Sequence, residues 1–211
     1  PITDQTPAAT VAVTGYEDNV GNDPENIASG EFTNDNTPVI SGTATNAKTV
    51  DVYVDGKLVG TATVGTDGKW SLPELTDPLS EGPHTITAKA KNGAGKEITS
   101  GEYTVTVDTE VDAGQPEIVT DLDGSSTITT TVDPEDVDNT GIKIVDPKTG
   151  EEIPGLTVTG PDADGKVVIE GKIPEGVEPE LKVTDKVGNE VTTPITDQTP
   201  AATVAVTGYE D

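Results

Sequence analysis

Acidic side chains gather in three stretches of this chain, with enough oxygen between them to chelate a cation. The first holds Asp4, Glu17, Asp18, Asn19, Asn22, Asp23 and Asp35. The second holds Asp108, Glu110 and Asp112 with Asp121, Asp123 and Asp138. The third holds Asp185 and Asp197 with Glu210 and Asp211. A hard cation such as calcium takes six to eight oxygen ligands. Carboxylates from a linker and from the end loops of an adjoining module could supply them, and a fixed ion there would remove a hinge. Two short runs, Asp121-Leu122-Asp123-Gly124 and Asp162-Ala163-Asp164-Gly165, begin like calcium loops. Neither completes the D-x-D-x-D-G spacing with a glutamate at the twelfth position. Asp162–Gly165 reads as a plain hairpin turn, whereas Asp121 and Asp123 stay among the metal candidates because they follow a junction strand.

Other chemistry finds little material. There is no cysteine and one histidine, His84, so a zinc site lacks ligands. His84 has no recognisable Ser–Asp arrangement, and acid pairs are too common here to mark a glycosidase. The expected reading is a protein that is not an enzyme. His84, following Glu81-Gly82-Pro83, reads as an exposed residue at a strand start. Trp70 could stack on a sugar, but it is most of the aromatic bulk a thin core has, so it reads as core.

The elements that position these residues read as β throughout. Hydrophobic residues make up 31% and aromatics 3%, so the core must be thin and aliphatic. Thr49–Val54 alternates, with Val50, Val52 and Val54 on one face, the period of a half-buried strand. Asp55-Gly56 then marks a two-residue hairpin turn into Lys57–Val64. His84–Ala90 alternates with Ile86, Ala88 and Ala90 inward, and Tyr103, Val105 and Val107 point inward on a long closing strand. Strands are also expected at Ala9–Thr14, Val39–Ala44 and Lys69–Leu72, with 15–38 a polar loop. Farther on they are expected at Glu117–Thr120, Ser125–Val132, Ile142–Asp146, Leu156–Thr159, Val167–Lys172, Leu181–Thr184 and Glu190–Ile195. Short strands with turns every eight to twelve residues point to sandwiches.

The net charge of −27, with every basic residue a lysine, repels nucleic acid and anionic membrane. No apolar run reaches the roughly 20 residues that span a bilayer, and no signal peptide is recognised. The strongest organisational signal is a repeat. Residues 194–211 reproduce residues 1–18, PITDQTPAATVAVTGYED, letter for letter. The offset is 194 − 1 = 193 residues, so one unit and the start of another are expected. The unit divides into a linker (1–6), one module (7–108), a second (109–199) and the first strand of the next repeat (200–211).

The first module reads TPVISGTATNAKTVDVYVDGKLVGTATVGTDGKWSL, then EGPHTITAKAKNGAGKE, then YTVTVDT. This resembles the bacterial Ig-like repeats of giant surface adhesins, as in the extender regions of type I-secreted RTX and biofilm adhesins. That pattern has an SGTA opening, a DG turn, a DG-x-W-S strand, a GxHT strand and a closing VTVDT. Asn92-Gly93-Ala94-Gly95-Lys96 departs from the pattern's Asp-x-Ala-Gly-Asn turn, while the second module retains Asp185 and Asn189 in VTDKVGNEV. The resemblance implies two tandem Ig-like β-sandwich domains in an elongated rod, stiffened by calcium at the junctions. It implies an extracellular segment at the cell surface, projecting a distal adhesive domain. The neighbours expected are further repeats of the same chain, in a monomer with head-to-tail contacts open, and no partner nucleic acid or membrane insertion. Two other readings stand beside it: a module binding sugar, ice or a host protein, for which SSTITTT at 125–131 is the one threonine array, and an accessory domain of a secreted polysaccharide hydrolase.

Overall fold

The computed structural model describes residues 6–21 and 25–197. The chain divides into two units, Pro1–Thr109 and Glu110–Asp211. Each has its own apolar core, and each is a β-sandwich of the Ig type.

In the first unit one sheet takes β1 (Thr10–Asp18), β2 (Glu25–Asn26), β4 (Val39–Thr45) and β7 (Lys69–Ser71) in the order β2-β1-β4-β7. The other takes β3 (Phe32–Thr33), β5 (Thr49–Val54), β6 (Lys57–Thr63), β8 (Gly82–Lys91) and β10 (Tyr103–Val107) in the order β3-β10-β8-β5-β6, with β9 (Glu97–Thr99) beside β8. Alternation puts Ile40, Ala44 and Trp70 from one sheet against Val50, Val52, Ile86, Ala88 and Val105 from the other. The β5–β6 hairpin closes through Asp55 and Gly56, at φ 49° and 79°. Positive φ at both central residues is what a tight turn matching strand twist demands.

The second unit pairs β11 (Glu117–Thr120), β12 (Ser126–Thr131), β14 (Thr157–Thr159), β15 (Lys166–Gly171) and β18 (Thr196–Asp197) in the order β14-β15-β12-β11-β18. It faces them with β13 (Ile142–Val145), β16 (Glu180–Thr184) and β17 (Glu190–Pro194), in the order β13-β16-β17. A 3-10 turn, Asn139–Gly141, leads into β13.

Three expectations differ from what is found. The first strand runs on to Asp18, because Gly15, Tyr16 and Glu17 pair with Ser41, Ile40 and Val39 after a bulge. The polar loop carries β2 and β3, two-residue strands that pair with β1 and, in parallel, with β10. The long closing strand is broken into β9 and β10 between Thr99 and Tyr103.

Each unit admits the chain at one pole and releases it at the other. In the first unit Thr10 lies across from Thr45, whereas Val107 lies beside Thr33 at the opposite end, next to Asp18. In the second unit Ala113 bridges to Val132 at the leading pole, and β18 runs parallel to β11 toward the trailing pole.

Candidate metal centre

The acidic residues sort by pole rather than by nearness in sequence. A strand advances roughly 3.3 Å per residue, so the nine residues of β1 carry its end roughly 26 Å from its start. Glu17, Asp18 and Asn19 therefore sit at the trailing pole of the first unit, together with Asp35 and Asp108 and away from the start of β1. Asp35 is 1% exposed and Asp18 is 8% exposed. The Asp18 carboxylate accepts from Val20 N–H at 2.9 Å and from the Thr33 hydroxyl at 2.7 Å. Asp35 accepts from Asn19 N–H at 3.1 Å and Thr37 N–H at 2.8 Å. The Tyr16 hydroxyl donates to the Asp35 carbonyl. Burial, and then the charges of Asp35 and Asp18, push the Tyr16 phenol well above its usual range. No lysine pairs with either carboxylate among the described residues. Asp108 is half-buried, and its N–H donates to the Thr33 carbonyl at 2.8 Å. Glu17 and Asn19 are exposed.

The second unit separates its candidates in the same way. Asp112 and Asp138 lie toward the leading pole, where Asp185 also sits. Asp121 and Asp123 are carried by β11 to the trailing pole, so they do not join Asp112 and Asp138 as a set. Asp185, grouped in sequence with Asp197, belongs instead to the pole opposite β18. Asp185 is 7% exposed. It accepts from the N–H groups of Val187, Gly188 and Asn189 at 2.6–3.0 Å and from the Asn189 side chain at 2.7 Å. A carboxylate oxygen of Asp136, which sequence reasoning missed, lies within 4.8 Å of one on Asp185. The Asp133-Pro134-Glu135-Asp136 run offered no spacing that would have marked it.

Asp138 caps the 3-10 turn through Thr140, and those bonds hold its carboxyl below the usual range. Asp123 is held low by the side chain and N–H of Ser125. Asp121 closes the same hairpin, its carbonyl accepting from Gly124 N–H. Glu110 and Asp112 are exposed. Asp197 is described only as a backbone partner of Ile118. Asp4, Asn22, Asp23, Glu210 and Asp211 lie outside the described residues.

His84 departs from its expectation. It is 6% exposed, with Nδ1 at 2.6 Å from Asp55 Oδ2 and Nε2 at 2.7 Å from the Ser80 carbonyl. Trp70, at 3% exposed, lies in the core. The threonine array shows Thr127, Thr129 and Thr131 on one face of β12, but the adjoining β15 places Glu170, Val168 and Lys166 opposite them. That alternation of charge and hydrocarbon breaks the array.

Residues 10–109 match the family described as "Bacterial Ig-like domain". No curated protein matches the chain. Among solved structures, it is similar to the fibronectin(III)-like modules of Clostridium thermocellum CbhA, at 18% identity and TM-score 0.38, over 91% of this chain and 95% of that one. It is similar to SGBP-B of the Bacteroides ovatus mixed-linkage glucan utilization locus, at 20% identity and TM-score 0.34, covering 92% of this chain and 48% of that one. It is also similar to Parabacteroides merdae beta-glucuronidase, at 12% identity and TM-score 0.34, over 90% of this chain and 25% of that one.

Proposed function

We propose, taking as premise that the first unit is a bacterial Ig-like domain, that the chain is a structural extender: a repeated segment of a bacterial surface adhesin that holds a distal adhesive domain away from the cell. The observation that carries this reading is the verbatim return of residues 1–18 at 194–211. On this reading that return marks the start of a second copy, and a two-module unit duplicated in tandem would add length and no new chemistry. The pole-to-pole passage of the chain through each unit supports it, because a spacer must be entered at one end and left at the other.

Calcium at the junctions is the second part of the proposal. The donor set fits a hard cation. Asp18, Asp35 and Asp108 offer carboxylate oxygens at the trailing pole of the first unit, and Asp136 and Asp185 offer them at the leading pole of the second. Two of these carboxylates are more than nine-tenths buried beside Tyr16 with no cationic side chain paired to them among the described residues. Such charge is costly without a counterion. A bound ion would supply that charge and fix the linker; Asp18 and Asp35 keep their loops through the bonds already described.

Two measurements test the two parts. Small-angle scattering on chains of one, two and three 193-residue units should show the maximum dimension growing by an equal step per unit. Growth that stalls after the first unit overturns the extender reading. Calorimetric titration with calcium, at fixed ionic strength, should show saturable binding, and chelation should lower the melting temperature. A site filled to about 100 times its dissociation constant adds about 2.7 kcal/mol to folding. No heat and no melting shift overturns the calcium part alone.

A further inference from the structure

The buried histidine is placed between two groups that can only accept. A peptide carbonyl has no proton to give, and an ionised carboxylate has none either. Ser80 O sits at 2.7 Å from Nε2 and Asp55 Oδ2 at 2.6 Å from Nδ1. Both bonds exist together only if both ring nitrogens carry hydrogen. A neutral ring has one N–H, so one nitrogen must turn a lone pair on an oxygen.

We infer that His84, Asp55 and the Ser80 carbonyl form a proton-operated clamp, closed by the imidazolium and opened on its Ser80 arm when the ring loses a proton. The Ser80 arm is the one that yields, because the ring keeps its remaining N–H on the charged partner, where a hydrogen bond is stronger. Asp55 is itself fixed, since its other oxygen accepts from Thr85 N–H at 2.8 Å.

The clamp joins β8, which carries His84, to the β5–β6 turn and to the segment before β8. Asp55 and Lys57 come from the β5–β6 turn. Asp77, Ser80 and Glu81 come from the segment between β7 and β8. β10 contributes Val105 opposite His84. Lys57 reaches Asp77 at 4.0 Å in an exposed pair, and Glu81 holds Thr109 through its N–H and hydroxyl. Val54, Leu58, Val59, Leu75 and Leu79 line the cavity beside the clamp, of about 360 Å³. Releasing Ser80 therefore loosens the stretch that also grips the chain at Thr109, where the first unit ends.

The electrostatics agree in direction. Burial lowers the ring's affinity for a proton, but the Ser80 hydrogen bond and the bond and charge of Asp55 outweigh it and raise the His84 pKa. Burial raises Asp55, and the Thr85 and His84 contacts bring it below its ordinary value. A raised histidine stabilises the fold fully below its unfolded pKa of about 6.5 and loses that contribution as pH rises through the folded value. A lowered aspartate contributes above about pH 4 and loses it on further acidification. The clamp is closed between those limits.

Because His84 is the sole histidine and Trp70 the sole tryptophan, both read out in the intact chain. Nuclear magnetic resonance of the imidazole should give a titration midpoint above about 6.5. The unfolding midpoint reported by Trp70 fluorescence should fall between about pH 6 and about pH 8.5, at fixed ionic strength and with chelator present. His84→Gln should flatten that slope, and Asp55→Asn should lower the ring midpoint. A ring midpoint at or below the ordinary value overturns the clamp, even if His84→Gln fails to fold. A slope that persists unchanged in His84→Gln also overturns it. Neither readout depends on calcium or on the extender reading.

Discussion

At the scale of single residues, the fate of two aspartates decides between scaffold and ligand. Asp35 secures Asn19 and Thr37 from a position 1% exposed, so Asp35→Ala leaves two backbone donors unmet. It should cost about 1–3 kcal/mol in a denaturant melt followed by Trp70 fluorescence. Asp35→Asn keeps the shape and removes the charge. With chelator it should be neutral or stabilising, because a buried charge has gone; with calcium it should fall below wild type, because a ligand has gone. The same sign in both conditions would separate Asp35 from any ion. Sequence marked Asp18 and Asp35 as acids but could not show their burial, since Thr33 and Thr37 reach them only through folded loops. For His84 the signal was present. Ile86, Ala88 and Ala90 alternate inward, and extending that period by two residues places His84 inside as well. Its partner Asp55 already had a sufficient reading as a turn residue, which hid its second role.

At the scale of elements, the seam between β1 and β4 is set by what glycine leaves out. A Cβ on Gly42 would stand 2.0 Å from the Ala12 carbonyl oxygen and 2.4 Å from the Trp70 ring. The indole of β7 lies on that bare backbone. Gly42→Ala should therefore destabilise the first unit by about 1–3 kcal/mol or more, read as a lowered denaturant midpoint with an unchanged slope. The strongly patterned elements were legible: Thr49–Val54 has the bounds its alternation predicts, and Glu117–Thr120 the bounds expected of it. β2 and β3 were not, because two residues carry no period. Their pairing comes from where β1 and β10 lie, which is tertiary information. Of the acids grouped by sequence, Asp18, Asn19 and Asp35 do come together, whereas Asp121 and Asp123 part from Asp112, since a strand carries its two ends to opposite poles.

At the scale of the whole molecule, the charge of −27 acts on both units at once. Self-repulsion of that size weakens a compact state, and salt screens it within about 10 Å at 0.1 M. Raising sodium chloride from about 0.02 to about 0.5 M, with chelator present, should raise the melting temperature of the chain. A fall would mean that lysine pairs, partly exposed among the described residues, outweigh the repulsion. This general response is the reason calcium must be compared at constant ionic strength.

Entry of the chain at one end of the first unit and departure at the other also fixes how it would carry a load. Tension applied through Thr10 and Val107 pulls along β1 and β10. The bonds that tie β1 to β4 run from Thr10 opposite Thr45 to Glu17 opposite Val39, and they lie across the strands. They would be strained together in shear, not opened one after another as in a zipper. Resistance to rupture under pulling is a rate, set by the barrier to the first broken seam. In this unit that seam runs past the bulge between Val13 and Gly15, where one residue of β1 goes without its ladder partner.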